Sequence, residues 1–188
     1  MSELIGGVEH RALAIVTYRD EWPIRFHEEK RRILEALGPV AQRIDHIGST
    51  AVVGMAAKPI VDIDVSVADA DRDDAYVPRL VEAGYQLRVR ETAHRMLRTA
   101  DLAVHVHVCT AGGDWERRHL LFRDWLRRCH QDRSRYESLK RSLAQRDWPS
   151  MNDYADAKAG LIEDILQRAE SWAAESGWRL EAQPASSG

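Results

Sequence analysis

Asp62 and Asp64 stand two residues apart in Lys58-Pro-Ile-Val-Asp-Ile-Asp-Val-Ser-Val67, an apolar run that reads as a β-strand. A strand sends successive side chains to opposite faces. Val61, Ile63, Val65 and Val67 therefore share one face, while Ile60, Asp62, Asp64 and Ser66 share the other. Two carboxylates about 7 Å apart on a half-buried surface repel unless a cation or a proton neutralises them, and a divalent metal is the simplest neutraliser. A second run, Ala103-Val-His-Val-His-Val-Cys109, alternates in the same way, with His105, His107 and Cys109 opposite Val104, Val106 and Val108. If it pairs beside the acid strand, two imidazoles face two carboxylates. Such a mixed nitrogen and oxygen set suits Zn, Mn, Fe or Co at least as well as Mg. The same alternation also describes a solvated polar face without ligands, and Cys109 reads first as a small apolar residue.

Gly48-Ser49 precedes the acid strand. A glycine there allows a backbone conformation and a close approach that a side chain would block, and the serine offers a hydroxyl and an amide to a phosphate. Alone, Gly-Ser is a common turn; followed by Asp-x-Asp on a strand, it predicts a phosphate-and-metal site. Lys58, Arg95, Arg98, Lys140 and Lys158 are candidate phosphate-binding cations, each also readable as a surface charge. Lys140 and Lys158 stand out because they interrupt periodic helical patterns near Tyr136 and Tyr154.

The elements that must position these groups are legible in outline. Residues 21–37 suit an amphipathic helix ended by Gly38-Pro39, and a strand follows over about 40–47. After the acid strand of 58–67, a helix opening at 69–74 runs to Gly84; short strands follow over 85–90, 95–99 and 103–109. From Asp114 the period becomes helical, giving helices through 115–129, around 136–143 and over about 152–174. Ser134 with Glu137, and Ser150 with Asp153, have capping-box spacing. The Trp-rich stretch 115–125 reads as core packing. The expectation is an α+β fold: a mixed or antiparallel sheet flanked by helices, with a C-terminal helical segment packed on it. One domain covers 1–182, its sheet part at about 14–112 and its helical part at about 113–175, followed by a disordered tail at 183–188.

At 188 residues the chain can bury a substantial core. With 30% charged residues and a net charge of -3 it lacks the basic footprint of a nucleic-acid binder. Two cysteines are too few for a disulfide framework, no leader pattern opens the chain, and no apolar stretch approaches membrane-spanning length. The expectation is a reduced, cytoplasmic protein.

The run from His46 through Gly48-Ser-Thr-Ala-Val-Val-Gly-Met-Ala-Ala-Lys-Pro-Ile-Val-Asp-Ile-Asp-Val65 resembles the GrpB family, as do His105-Val-His-Val108 and Trp115-Glu-Arg-Arg-His-Leu-Leu-Phe-Arg-Asp-Trp125. Tyr136-x-x-Leu-Lys140 and Tyr154-x-x-x-Lys158 extend the resemblance, which covers about residues 14–172. It implies the nucleotidyltransferase superfamily. Gly48 and Ser49 would then hold nucleotide phosphates, and Asp62 and Asp64 the catalytic divalent ions, Mg or Mn first and Zn as an alternative. The implied reaction moves a nucleoside monophosphate from a nucleoside triphosphate to a small-molecule acceptor. Similar domains occur fused to dephospho-CoA kinase, but this chain has no P-loop Gly-x-x-x-x-Gly-Lys-Ser/Thr and is not that kinase. Two departures stand out. The third carboxylate usual in active nucleotidyltransferases is replaced by His105 and His107, which would serve as base or ligand, and Val53 replaces a frequent proline. A nucleotide- or CoA-related binding protein, and a metal-dependent hydrolase on His105, His107, Asp62 and Asp64, are the alternative readings.

Overall fold

The acid strand and the histidine strand do lie side by side. The computed structural model describes residues 3–7 and 13–180; the tail expected over 183–188 lies outside them. β1 (Glu3–Leu4), α1 (Glu21–Leu37), β2 (Arg43–Ile47), β3 (Val61–Val67), α2 (Val77–Glu82), β4 (Tyr85–Glu91), β5 (His94–Thr99) and β6 (Val104–Thr110) make up the sheet half. α3 (Asp114–Arg128), α4 (His130–Leu143), α5 (Met151–Asp156) and α6 (Ala159–Ser176) make up the helical half. The six strands run in the order β1-β4-β5-β6-β3-β2. β3 and β6 are parallel; every other neighbouring pair is antiparallel.

Alternation along β3 and β6 divides the molecule into two layers. Val61, Ile63, Val65 and Val67 join Val104, Val106 and Val108 on one face, where Trp22, Phe26, Ile33 and Leu37 of α1 and Leu80 of α2 cover them. Each such aliphatic side chain contributes roughly 1.5–3 kcal/mol by leaving water, so this face fixes the register. Burial of Tyr85 and Glu29 is offset by a hydrogen bond from the Tyr85 hydroxyl to the Glu29 carboxylate. The opposite face carries the polar residues and is roofed by α3 and the helices after it. A second apolar cluster of Val52, Met55, Leu126, Tyr136 and Ile165 joins the roof to the segment between β2 and β3. Within the roof, the Asp132 carboxylate accepts from Arg168 Nε (2.8 Å), Arg168 Nη2 (2.7 Å) and Trp125 Nε1 (2.8 Å), tying α4 to α3 and α6.

Several boundaries differ from the sequence expectation. The strand expected from residue 40 starts at Arg43, because Gly38–Val40 forms a 3-10 turn around Pro39. The acid strand starts at Val61, since Ile60 N–H bonds back to Lys58 C=O at 2.8 Å. The single helix expected over about 152–174 is two, α5 and α6, broken at Ala157-Lys158. Ser150 caps α5 as expected, accepting from Asp153 N–H at 3.1 Å. Ser134 does not cap, because α4 starts at His130 and carries it inside. Glu3 and Leu4, in a segment with no evident periodicity, pair with β4.

Candidate metal and anion site

Strand register brings the chemistry-bearing residues into three rows on the roofed face. Ile47, Asp62, His105 and Arg98 form the first row; Asp45, Asp64, His107 and Met96 the second; Arg43, Ser66, Cys109 and His94 the third. In the first row, Asp62 Oδ1 lies 3.3 Å from His105 Nδ1 and 3.6 Å from His107 Nε2. These three donor atoms all lie within 4.8 Å of one another. One carboxylate oxygen and two imidazole nitrogens converging from two strands fit a divalent ion of the Zn, Mn, Fe or Co type.

A chain of hydrogen bonds orients His107. Glu91 Oε2 is 2.9 Å from His94 Nδ1, and His94 Nε2 is 3.0 Å from His107 Nδ1. Burial, with His107 and His119 nearby, pushes His94 down to about 2, so it is a neutral imidazole at pH 7. A carboxylate only accepts, so the one proton of His94 sits on Nδ1. Its Nε2 then accepts from His107 Nδ1–H, which leaves His107 Nε2 aimed at Asp62. Against the opposing effect of burial, His105 and His107 hold the Asp62 carboxyl well below the usual range. Trp115 of α3 stacks on the His94 ring at 4.4 Å and fixes its plane.

Asp64 has a different environment. It is 2% exposed, and its Oδ1 accepts from His119 Nδ1 at 3.0 Å and from Cys109 Sγ at 3.3 Å. Burial, reinforced by Asp64, pushes the Cys109 thiol up, so it stays protonated. His119 is carried over the sheet by α3, whose first turn is anchored by Glu116: the carboxylate accepts from Ser66 Oγ and from Gly112 N–H at 2.6 Å.

The loop between β2 and β3 supplies the other wall. Gly48 has φ 68° and ψ -169°, a region open essentially to glycine, and a Cβ there would lie 2.6 Å from Asp62 Oδ2. After it, Ser49–Ala51 forms a 3-10 turn. Side chains clamp this loop from both halves: His46 Nε2 pairs with Thr50 Oγ1 at 2.9 Å, and Arg127 Nη2 donates to Ala51 C=O at 2.9 Å. Lys140 Nζ donates to Ser49 Oγ at 2.8 Å and to Ala56 C=O at 2.7 Å. Lys58 and Lys158 both lie over the Tyr154 ring, at 4.7 and 4.6 Å. Burial, with Lys158 nearby, lowers Lys140 to about 7; burial, with Lys58 nearby, lowers Lys158 to about 8. Among the described residues no carboxylate forms an ion pair with Lys140 or Lys158. A buried Lys140 ammonium and a partly buried Lys158, neither in ion-pair contact with a carboxylate, are suited to receive an anion.

The Asp62-His105-His107 cluster, the Gly48-Ser49 turn and the lysines border one cavity of about 550 Å³, within the usual range for small-molecule sites. Of the residues singled out in the sequence, Gly48, Ser49, Lys58, Asp62, Arg98, His105, His107, Lys140 and Lys158 line it. Asp64 and Arg95 do not. Arg95 stands one residue out of phase with His94 and Met96, on the opposite face of β5, where its guanidinium pairs with Asp73 at 2.7 Å and Asp71 at 3.0 Å. His119, which lines the cavity, and His94 behind His107 were not anticipated. Reading β5 from residue 94 would have placed His94 in phase with Met96 and Arg98, and His119 stands one helical turn after Trp115.

Fold and cavity define an α+β protein with a mixed sheet and a candidate metal and anion site between sheet and helical roof. The family described as GrpB protein matches residues 12–168. A UPF0157 protein of Streptomyces coelicolor is 47% identical over 167 residues, covering 89% of both chains. The crystal structure of the conserved protein GrpB from Enterococcus faecalis aligns with a TM-score of 0.74 at 30% identity, over 85% of this chain and 99% of that one. The chain belongs to the GrpB family. It is also 31% identical to a dephospho-CoA kinase of Mycolicibacterium paratuberculosis, matching 85% of this chain but only 46% of that protein. No helix among the described residues is long and apolar enough to cross a membrane.

Proposed function

We propose that this protein transfers a nucleoside monophosphate from a nucleoside triphosphate to a small-molecule acceptor, with a divalent metal at Asp62, His105 and His107. The supporting observation is the convergence in one cavity of that donor set with Ser49, Lys140 and Lys158, a paired arrangement of metal ligands and anion receptors. In the reaction an acceptor oxygen bonds to the α-phosphorus as the α–β bridging P–O bond breaks, and pyrophosphate leaves. Lys140 and Lys158 receive the departing negative charge, while Ser49, held on the Gly48 turn, positions the phosphates. A divalent ion, when bound, supplies charge neutralisation at the phosphate oxygens. The nitrogen-rich donor set also fits a zinc-type hydrolase, the second reading.

The test is a thermal-shift screen of nucleoside triphosphates and CoA precursors with Mg, Mn and Zn. CoA precursors are included because relatives named dephospho-CoA kinase carry a similar segment. A nucleotide at 100 times its Kd stabilises by about 2.7 kcal/mol, roughly 5–10 °C for a chain of this size. Asp62→Ala abolishes the metal-dependent part. Stoichiometric zinc without any nucleotide response would favour the hydrolase instead.

A further inference from the structure

We infer that Asp64 is a positioning residue for His119, not a ligand of the cavity metal, and that His119 is the proton acceptor for the attacking hydroxyl. This deepens the proposed transfer reaction and rests on it for the reaction itself; the geometry of the pair stands separately. Three observations carry it. Asp64 is almost wholly enclosed and absent from the cavity wall, whereas Asp62, two residues earlier, is 29% exposed there. The Asp64 oxygen that has partners is spent on His119 Nδ1 and Cys109 Sγ. His119 itself lines the cavity, with its side chain 19% exposed.

The chemistry follows from the hydrogen bond. A buried carboxylate accepting at Nδ1 fixes the proton of a neutral imidazole on that nitrogen and leaves Nε2 as a lone pair. The same carboxylate stabilises the imidazolium formed when Nε2 takes up a proton. As the acceptor oxygen bonds to the α-phosphorus and pyrophosphate departs, the hydroxyl proton passes to His119 Nε2, and the imidazolium is balanced by Asp64. The role that a third carboxylate would fill on β6 thus moves to α3. The neighbouring imidazole ring of His107, 5.4 Å away between centroids, leaves the two histidines with separate tasks: His107 is oriented by His94 toward Asp62, and His119 is oriented by Asp64.

Two measurements decide this. Long-range 1H–15N NMR of histidine-labelled, metal-free protein, with the signal assigned through His119→Gln, reports which ring nitrogen carries the proton. In the neutral ring the expected wild-type proton position is Nδ1, with Nε2 bare, and Asp64→Ala removes that preference. Mn2+ titration calorimetry then separates the two aspartates: Asp64→Asn leaves the Mn2+ Kd within about twofold, while Asp62→Asn weakens it about 10–100-fold. His119 as the Nε2–H tautomer with a bare Nδ1 in the wild type overturns the inference, as does Mn2+ weakening by Asp64→Asn equal to that by Asp62→Asn. A thiolate-to-metal charge-transfer band with Co2+, lost in Cys109→Ser, would also overturn it by placing an ion on Asp64, Cys109 and His119. If the wild type takes up no Mn2+, the metal reading fails, and the NMR result still decides whether Asp64 orients His119.

Discussion

His94 makes no contact with the cavity, yet it decides which nitrogen His107 presents to it. Replacing it with Phe keeps a flat ring against Trp115 but removes the acceptor for His107 Nδ1–H. The expected result is a Mn2+ affinity about 10–100-fold weaker, as for other groups that orient a metal-binding imidazole. His94→Gln, which keeps an acceptor, retains part of that affinity; equal affinity in the Phe variant and wild type would remove His94 from the site. Gly48 is constrained from two sides, by its positive φ and by Asp62 Oδ2 at 2.6 Å from a would-be Cβ. Gly48→Ala should cost about 1–3 kcal/mol in urea unfolding from backbone strain alone. Because the new methyl group displaces the Asp62 carboxylate, Mn2+ binding should fall in the same variant.

At the scale of elements, Lys140 and Lys158 reach one cavity, the proposed anion site, from different helices, the first from within α4 and the second from the break before α6. Both are lowered toward neutrality, to about 7 and about 8, so the charged forms that bind an anion dominate only below those values. Sulfate, whose own charge is constant there, should stabilise the protein most near pH 6 and progressively less as pH rises through 7 and 8. A sulfate effect independent of pH would mean that the anion binds elsewhere. The break that places Lys158 was not legible, because Tyr154, Leu161, Ile162 and Ile165 keep helical spacing across it. Similarly, Ser134 and Glu137 have the spacing of a cap, but α4 begins four residues earlier, at His130. β3 and β6 were legible because each alternates apolar and polar residues along most of its length. His94 and His119 were not: the strand pattern of β5 is apparent in the sequence only from Arg95, one residue after the strand begins, and the tryptophans of α3 make its pattern look like core alone. Neither feature carries a local signal of what lies across the sheet; the strand order that unites them is set by long-range packing.

At the scale of the whole molecule, the sheet and the helical roof meet around buried charge that ordinary packing would exclude. The roof brings Lys158 close to Lys58 and Lys140, and the cost of desolvating these ammonium groups appears as the lowered value of Lys158. Lys158→Met keeps a flexible chain of similar length against Tyr154 and removes the charge. Metal-free and anion-free protein should therefore gain about 1 kcal/mol at pH 7, after allowance for solvent screening, or about 2–4 °C in Tm. The sign follows from proton counting. Below pH 8 the lysine is charged in both folded and unfolded chains and burial penalises the fold. Between about 8 and its ordinary value of 10.5, only the unfolded chain holds the proton, so wild-type stability rises with pH and the advantage of the Met variant fades. The same variant should lose most of its stabilisation by sulfate or nucleotide, because the charge that strains the empty cavity is the one that attracts the anion. Melting curves at pH 7 and pH 10, with and without sulfate, check both halves. A variant that is less stable at pH 7, or equally responsive to sulfate, would show that Lys158 supports the roof and takes no part in the anion site.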